Sequence, residues 1–507
     1  MATLLGRLRR ARLLAQEDSH NPGRLDTHPL VREYFGEQLR SQQTGAWKEC
    51  NRRLFLHYQT LAPQLPNSFR EMERLFSAII CGCNAGLFRE ALREVYIPRI
   101  QRGDARFAAN VLGARAALLT VLVHFFEQGR WGSLVESGVE EERLTPEDQL
   151  FVLMQAALYL MVTRGLRTPE VRICYERAES LCHSLNRPRI MHVVLIGQWR
   201  YSLFTDRLTA TMRLAKAIYS LAQDRNDSAL LMGACRAIAV TFYFLGDFEA
   251  TQEYAMRGVQ IWRSGSVQSP VEEVNVPPVL CLSHQAQAEW HFGEIARAHA
   301  TMAEAVSLAK ELNGMHGLAL ALYYSAVLSY CESNPAEVER FASALIELST
   351  RQNFPDRLAG GEVLRGWAGS ASGDTAEGIS WIEDGMEDTR ATGPMMGAPF
   401  LLALKAEALY LADRTAEGLE AINEAGALAE RSEARWWCAE LHRLRGVFLA
   451  SLGAEETQIE ASLQAAISTA RQQKSVSLEK RAEATYAEYG RQKGSLSGGR
   501  GVRLPLS

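Results

Sequence analysis

The 507-residue sequence predicts an all-α solenoid of stacked helix pairs that repeat about every 40 residues. Three observations carry this expectation. Apolar residues recur at spacings of three and four through nearly every patterned segment, and the alternation typical of strands is scarce. Short turns such as FLGDFEA (244–250), ASGDTAE (371–377) and LADRTAE (411–417) separate the periodic runs. A small residue returns in the first helix of each pair at Ala157, Gly197, Ala239, Ala286, Ala326, Gly366, Ala406 and Gly446. The intervals are 40, 42, 47, 40, 40, 40 and 40 residues.

Each marker has a physical reason. Two helices approach closely only where one of them presents no bulk, so every unit needs Gly or Ala at the crossing. Glycine inside a helix costs about 1 kcal/mol relative to alanine, so its use at Gly366 and Gly446 implies crowding. A second marker keeps the same period. Pro335-Ala336-Glu337, Thr375-Ala376-Glu377 and Thr415-Ala416-Glu417 open second helices 40 residues apart. Pro or Thr suits a helix start, and Glu complements the positive end of the helix dipole. Each pair leaves an apolar face that only the next pair can cover, so the core grows in one dimension. Small residues at the crossing, bulky neighbours and a GDxxxA-type turn form the tetratricopeptide pattern, here with lengthened helices, and predict a right-handed superhelix. Armadillo or HEAT pairs have similar periods and give the same one-dimensional architecture.

Composition bounds the function. Hydrophobic residues make up 47% and charged residues 22%, with a formal net charge of -4. That balance disfavours a nucleic-acid partner, which would draw on a basic excess. No uninterrupted apolar stretch reaches the roughly 18 residues of a membrane span, so no membrane partner is expected. The opening MATLLGRLRRARLLAQ is basic and amphipathic and is read as a helix of the first domain in preference to a transit peptide. A cytoplasmic location follows as the default. Nine scattered cysteines fit reduced core thiols, and Cys81 and Cys83, two apart on a helix, diverge.

Several segments resemble the C-terminal half of bacterial STAND signalling ATPases of the NB-ARC kind, in which a nucleotide-binding module precedes a winged helix and a tetratricopeptide array. LDTHPLVREYFGEQLR (25–40) is similar to the end of the winged helix, and GLFREALREVYIPRIQRG (86–103) to the connector. LRGWAGSASGDTAEGISWIEDG (364–385) and residues 440–482 are similar to array units, found also beside cyclase and kinase domains. The resemblance implies a winged-helix-like remnant over 1–60, a helical connector over 61–145 and the array over 146–490. The Gly/Ser-rich stretch 491–507 is expected to be disordered. In such proteins a winged-helix histidine faces bound ADP. Thr27-His28-Pro29 holds that place, so His28 is the one cofactor-binding candidate the resemblance brings, and only beside a nucleotide-binding domain. The chain has no Gly-Lys dipeptide and hence no GxxxxGK[ST] loop, so no cofactor of its own is expected.

Catalytic signatures are equally absent from the sequence: no HExxH, GxSxG or CxxC, and Glu140-Glu141-Glu142 reads as a solvated face. His284 and His291, seven apart on one helix, are a weak metal signal. Binding on a solenoid falls to the inner face, lined by first helices near the crossing. The positions there are Arg236, Tyr243, Gln287, Trp290, Tyr323, Tyr330, Trp367, Tyr410 and Arg443, a composition favoured at interaction hot spots but also used between neighbouring pairs. Gln285 and Glu289 break the apolar pattern of their unit, which implies a distorted helix or a polar notch. The expected function is a non-enzymatic sensor or scaffold module for a protein or peptide, or a small inducer, related to sensors whose NTPase is attached in an intact relative or supplied by a separate chain. The rivals are a structural adaptor and a DNA-binding regulator using the winged-helix segment.

Overall fold

A computed structural model describes residues 2–11, 13–14, 27, 29–103, 106–165, 167–265, 267, 277–392, 396–495 and 502–506. It is helical throughout, and among the described residues the one β contact is an isolated bridge between Phe126 and Leu134. Two compact units divide it, Met1–Val152 and Leu153–Ser507.

In the first unit, helices Pro29–Gln42 and Thr44–Leu61 occupy the place of the expected winged-helix remnant. No strand is present there among the described residues. His28 lies outside the described residues. Helix Phe69–Ala85 follows, capped by Ser68 and ended by Gly86 at φ 88°. It packs on Thr44–Leu61 through Gly82, whose added Cβ would meet the Phe55 ring at 3.1 Å. The buried Arg99 guanidinium closes the end of Thr44–Leu61 by donating to the carbonyls of Gln59, Ala62 and Pro63 at 2.9–3.2 Å.

The second unit is a solenoid of tetratricopeptide-like pairs. Eight pairs are present among the described residues, the first opening with Pro146–Arg164, inside which the unit boundary falls. Pair 3 is Ser228–Leu245 with Phe248–Arg263, and pair 4 is Pro277–His291 with Ile295–Glu311. Pair 5 is Met315–Cys331 with Pro335–Gln352, and pair 6 is Pro355–Ala371 with Thr375–Thr392. Pair 7 is Ala398–Leu411 with Thr415–Ser432, and pair 8 is Cys438–Ser451 with Glu456–Gln472. A last helix, Val476–Ser495, lies against pair 8. Helix Ser228–Leu245 has the length and apolar character of a membrane span, yet 78% of it is buried as core.

The small markers sit at the crossings. Gly366 faces Gly378 and Ile382 while Gly385 faces Ala359 and Val363, so the helices of pair 6 run antiparallel. A Cβ on Gly366 would stand 2.5 Å from the Gly378 carbonyl oxygen, and one on Gly446 would stand 2.6 Å from Leu463 Cδ2. Ala157, Ala239, Ala286, Ala326 and Ala406 are fully buried. Asn334 and Asp374, each one residue ahead of the Pro/Thr-Ala-Glu marker, accept from the N–H of Glu337 and Glu377 at 3.3 Å. The 47-residue interval falls on the connection between Arg263 and Pro277. Glu289 leaves its helix regular. Its Oε1 accepts from Gln285 at 2.8 Å and pairs with Arg297 at 2.9 Å, while Oε2 of this fully buried carboxylate has no hydrogen-bond partner.

Residues 491–507, expected to be disordered, behave otherwise where they are described. The last helix continues to Ser495, and Val502 and Leu504 are buried against the array. The composition of 494–501 is Gly/Ser-rich, but the following Val-Arg-Leu-Pro-Leu supplies apolar side chains at alternate positions.

Candidate functional site

First helices turn three registers inward: three residues before the small marker, one after it and four after it. These carry all nine inner-face candidates. Eight of them are buried and Tyr323 is half-buried. The inner face is therefore filled at these positions, because the array coils far enough for its late units to meet its early ones. The N–H groups of Arg435 and Trp436, between pairs 7 and 8, donate to the Phe244 carbonyl of pair 3 at 2.8 and 3.2 Å. Glu433 pairs with Arg207 at 2.6 Å and accepts from Thr209 N–H and Oγ1 at 2.8 Å, capping the helix that starts at Leu208. Ser477 Oγ donates to the Trp290 carbonyl at 2.5 Å. A polar cleft of 660 Å³ beside this closure is lined by Asp247, Glu249, Glu430, Arg435, Gln473 and Lys474, with Lys474 already paired to Glu249.

At pairs 3 and 4 the interior is aromatic. Tyr243 meets Trp436 at 5.1 Å and His284 edge-on at 5.2 Å, and His291 stacks on Phe248 at 3.5 Å. Arg236 lies over the Trp199 ring at 5.3 Å. Gln287 Nε2 donates to the Tyr324 carbonyl at 2.9 Å, and Tyr323 packs on Gly360 between neighbouring pairs. The two histidines do not meet as ligands: His284 Nδ1 faces the Leu280 carbonyl, and His291 Nδ1 faces Ser475 Oγ. Burial pushes His284 down to about 4.

At pairs 5 to 8 the same registers carry charge. Glu407 accepts from Tyr330 Oη and Trp367 Nε1, both at 2.7 Å. Burial, reinforced by nearby Glu440, raises Glu407 to about 7. Burial also works to raise Glu440, but Arg443 and Arg481 hold it below the usual carboxylate range. Arg443 grips Glu440 with two bonds, of 2.7 and 3.0 Å, and reaches Thr485 Oγ1 at 3.2 Å. Arg481 adds a 3.3 Å contact to Glu440, bonds the Cys331 carbonyl and lies 5.7 Å from the Trp290 ring.

The extended stretch 502–506 lies on this charged end. Tyr410 Oη donates to the Leu504 carbonyl at 2.9 Å, and Arg443 Nη2 donates to the Leu506 carbonyl at 2.6 Å. Arg503 pairs with Asp413 at 2.5 Å over the Tyr410 ring.

Sequence reasoning missed Glu407, although it stands one residue past a small marker, as Gln287 and Trp367 do. Glu440, one turn before Arg443, was findable as an i,i+3 partner. Trp436, Trp437 and Arg481 lie outside the repeat template and gave no periodic signal. Among the described residues no group of three metal-ligating side chains occurs.

No family model matches the chain. An uncharacterized protein of Rhizobium meliloti (strain 1021) is 22% identical over 350 residues, which cover 68% of this chain and 33% of that protein. The chain thus spans about a third of the length of that relative. Among solved structures, the chain is similar to NprR in complex with its cognate peptide NprX (TM-score 0.45, 12% identity, 69% of this chain and 94% of that one). It is similar also to a Rap protein complexed with Competence and Sporulation Factor (0.39, 12%, 68% and 100%). A third is a STAND protein with a tetratricopeptide repeat sensor from Pyrococcus horikoshii (0.38, 13%, 88% and 60%). At these identities and scores the likeness carries no residue, ligand or activity across to this chain.

Proposed function

We propose that the chain is a helical-repeat binding module for a protein or peptide, with no turnover of its own. One observation supports this most. At pairs 7 and 8, buried side-chain donors, Tyr410 Oη and Arg443 Nη2, meet backbone carbonyls of the irregular segment 502–506. Donors that bind carbonyls read main chain, the common element of every peptide, while neighbouring side chains supply selectivity. The test is to pan a random-peptide display library against the full chain carrying Leu504→Asp, so that the site is not already filled. A convergent peptide family is expected, weakened by a further Tyr410→Phe change at unchanged melting temperature. No enrichment, or enrichment indifferent to Tyr410, contradicts the reading.

A finer reading makes this module the sensor of a STAND-type system, holding a protein, peptide or small inducer and controlling an NTPase, attached or supplied by a separate chain. Its support is the resemblance at 25–40 and 440–482. His28 would then face the partner's nucleotide. Purified chain is expected to hydrolyse no ATP, and turnover that survives contaminant controls contradicts this reading.

A further inference from the structure

The stretch 502–506 is held by the array in the manner of a bound peptide. Its residues alternate in burial: Val502 and Leu504 are buried, Arg503 and Pro505 are exposed, and Leu506 is half-buried. Its backbone is fixed with the same period of two. Val502 N–H donates to the Ala450 carbonyl at 2.9 Å, the Leu504 carbonyl accepts from Tyr410, and the Leu506 carbonyl accepts from Arg443. That is the period of an extended chain reading one surface. Pro505 lends itself to this conformation, because its ring fixes φ near the extended range and it has no N–H to satisfy.

The receiving side is built before the strand arrives. Arg443 is 1% exposed and oriented by Glu440 and Thr485, which leaves a guanidinium N–H for the incoming carbonyl. Leu504, also 1% exposed, is buried where its carbonyl accepts from Tyr410. Asp413 meets the outward Arg503, whose guanidinium lies 5.2 Å from the Tyr410 ring centre.

We infer that pairs 7 and 8 carry a recognition subsite for an extended segment of pattern apolar–basic–apolar–Pro–apolar. Val502–Leu506 fills it in cis, and a partner segment of the same pattern binds by displacing it. This rests on the binding-module reading above and adds the ligand's pattern and its internal competitor. An intramolecular competitor acts at an effective concentration of order millimolar for short flexible linkers, so it weakens a competing peptide by a large factor.

The probe is the labelled heptapeptide GVRLPLS, titrated by fluorescence anisotropy into the full wild-type chain and the full chain with Leu504→Asp. Cooperative melting of both is verified first. The variant is expected to bind the probe at least about tenfold tighter, since its own segment no longer competes. A probe with the central Leu changed to Asp is expected to fail. In the Leu504→Asp background, Asp413→Lys is expected to switch preference from GVRLPLS to GVELPLS. Equal affinity of wild type and variant, or equal binding of the Asp-containing probe, overturns the inference. If the display library enriches peptides on the Leu504→Asp chain that GVRLPLS does not displace, this subsite is wrong and the binding-module reading stands. If neither library nor probe binds, both fall.

Discussion

The two ends of the array's interior use one repeat template for different chemistry. Tyr243, Tyr330 and Tyr410 all stand four residues past a small marker, and all are buried. Tyr243 sits among aromatic rings and its hydroxyl has no hydrogen-bond partner. Tyr330 donates to the Glu407 carboxylate, and Tyr410 to the Leu504 carbonyl. A buried hydroxyl without a partner is a net penalty, whereas one that donates to a carboxylate is a strong bond. On the proposed reading, closure falls to the aromatic end and recognition to the charged end.

The most disruptive way to break the comparison is to spoil a helix crossing within the charged end. Gly366→Leu puts a side chain where even a Cβ meets the Gly378 carbonyl at 2.5 Å. It is expected to destabilise by about 3 kcal/mol or more in chemical denaturation, against almost nothing for the exposed Glu377→Gln. Equal melts of the two variants contradict the packing account.

Glu407 sharpens the comparison through pH. Its folded value is raised to about 7, so between 4.5 and 7 the folded chain holds a proton that the unfolded chain has released. Its contribution is present below 4.5 and lost as pH rises through 7. The stability difference between wild type and Glu407→Gln should therefore shrink by on the order of 3 kcal/mol across that window. His192 and His284, each lowered to about 4 by burial, act in the opposite sense: the unfolded chain protonates first, and stability falls as pH drops from 6.5 to 4. That slope is common to both proteins and cancels in the difference. A difference independent of pH contradicts the placement of Glu407.

The tyrosines provide the smaller effects. Tyr330→Phe leaves Glu407 with one donor and is expected to cost about 1–3 kcal/mol. Tyr243→Phe removes an unpartnered hydroxyl and is expected to be neutral or to stabilise by up to about 1 kcal/mol. Equal losses in denaturant midpoints would erase the distinction between the two ends.

Much of the fold was legible because close helix approach leaves a strict mark: the glycines and alanines could not be larger. The facing glycines were legible too, since Gly378 and Gly418 each follow a Thr-Ala-Glu marker, and a Cβ on Gly418 would stand 3.0 Å from the Ala406 carbonyl oxygen. The same template put the inner-face candidates at buried or half-buried registers. It did not reveal that the interior is filled, because a repeat period fixes the pair but not how far successive pairs rotate. That depends on contacts such as Trp436 with Tyr243 and Glu433 with Thr209, some 190 and 224 residues apart. The seated segment was missed for a different reason. Its neighbours' glycines and serines outweighed the short alternation of Val502, Leu504 and Leu506.

The most direct measurement is amide hydrogen exchange over residues 502–506 in the full chain, compared with Tyr410→Phe. The account expects the Val502 amide, bonded to the Ala450 carbonyl, to be protected in the wild type and to lose protection in the variant while the array's helices stay protected. Exchange of Val502 at the rate of an unstructured peptide in the wild type would contradict it.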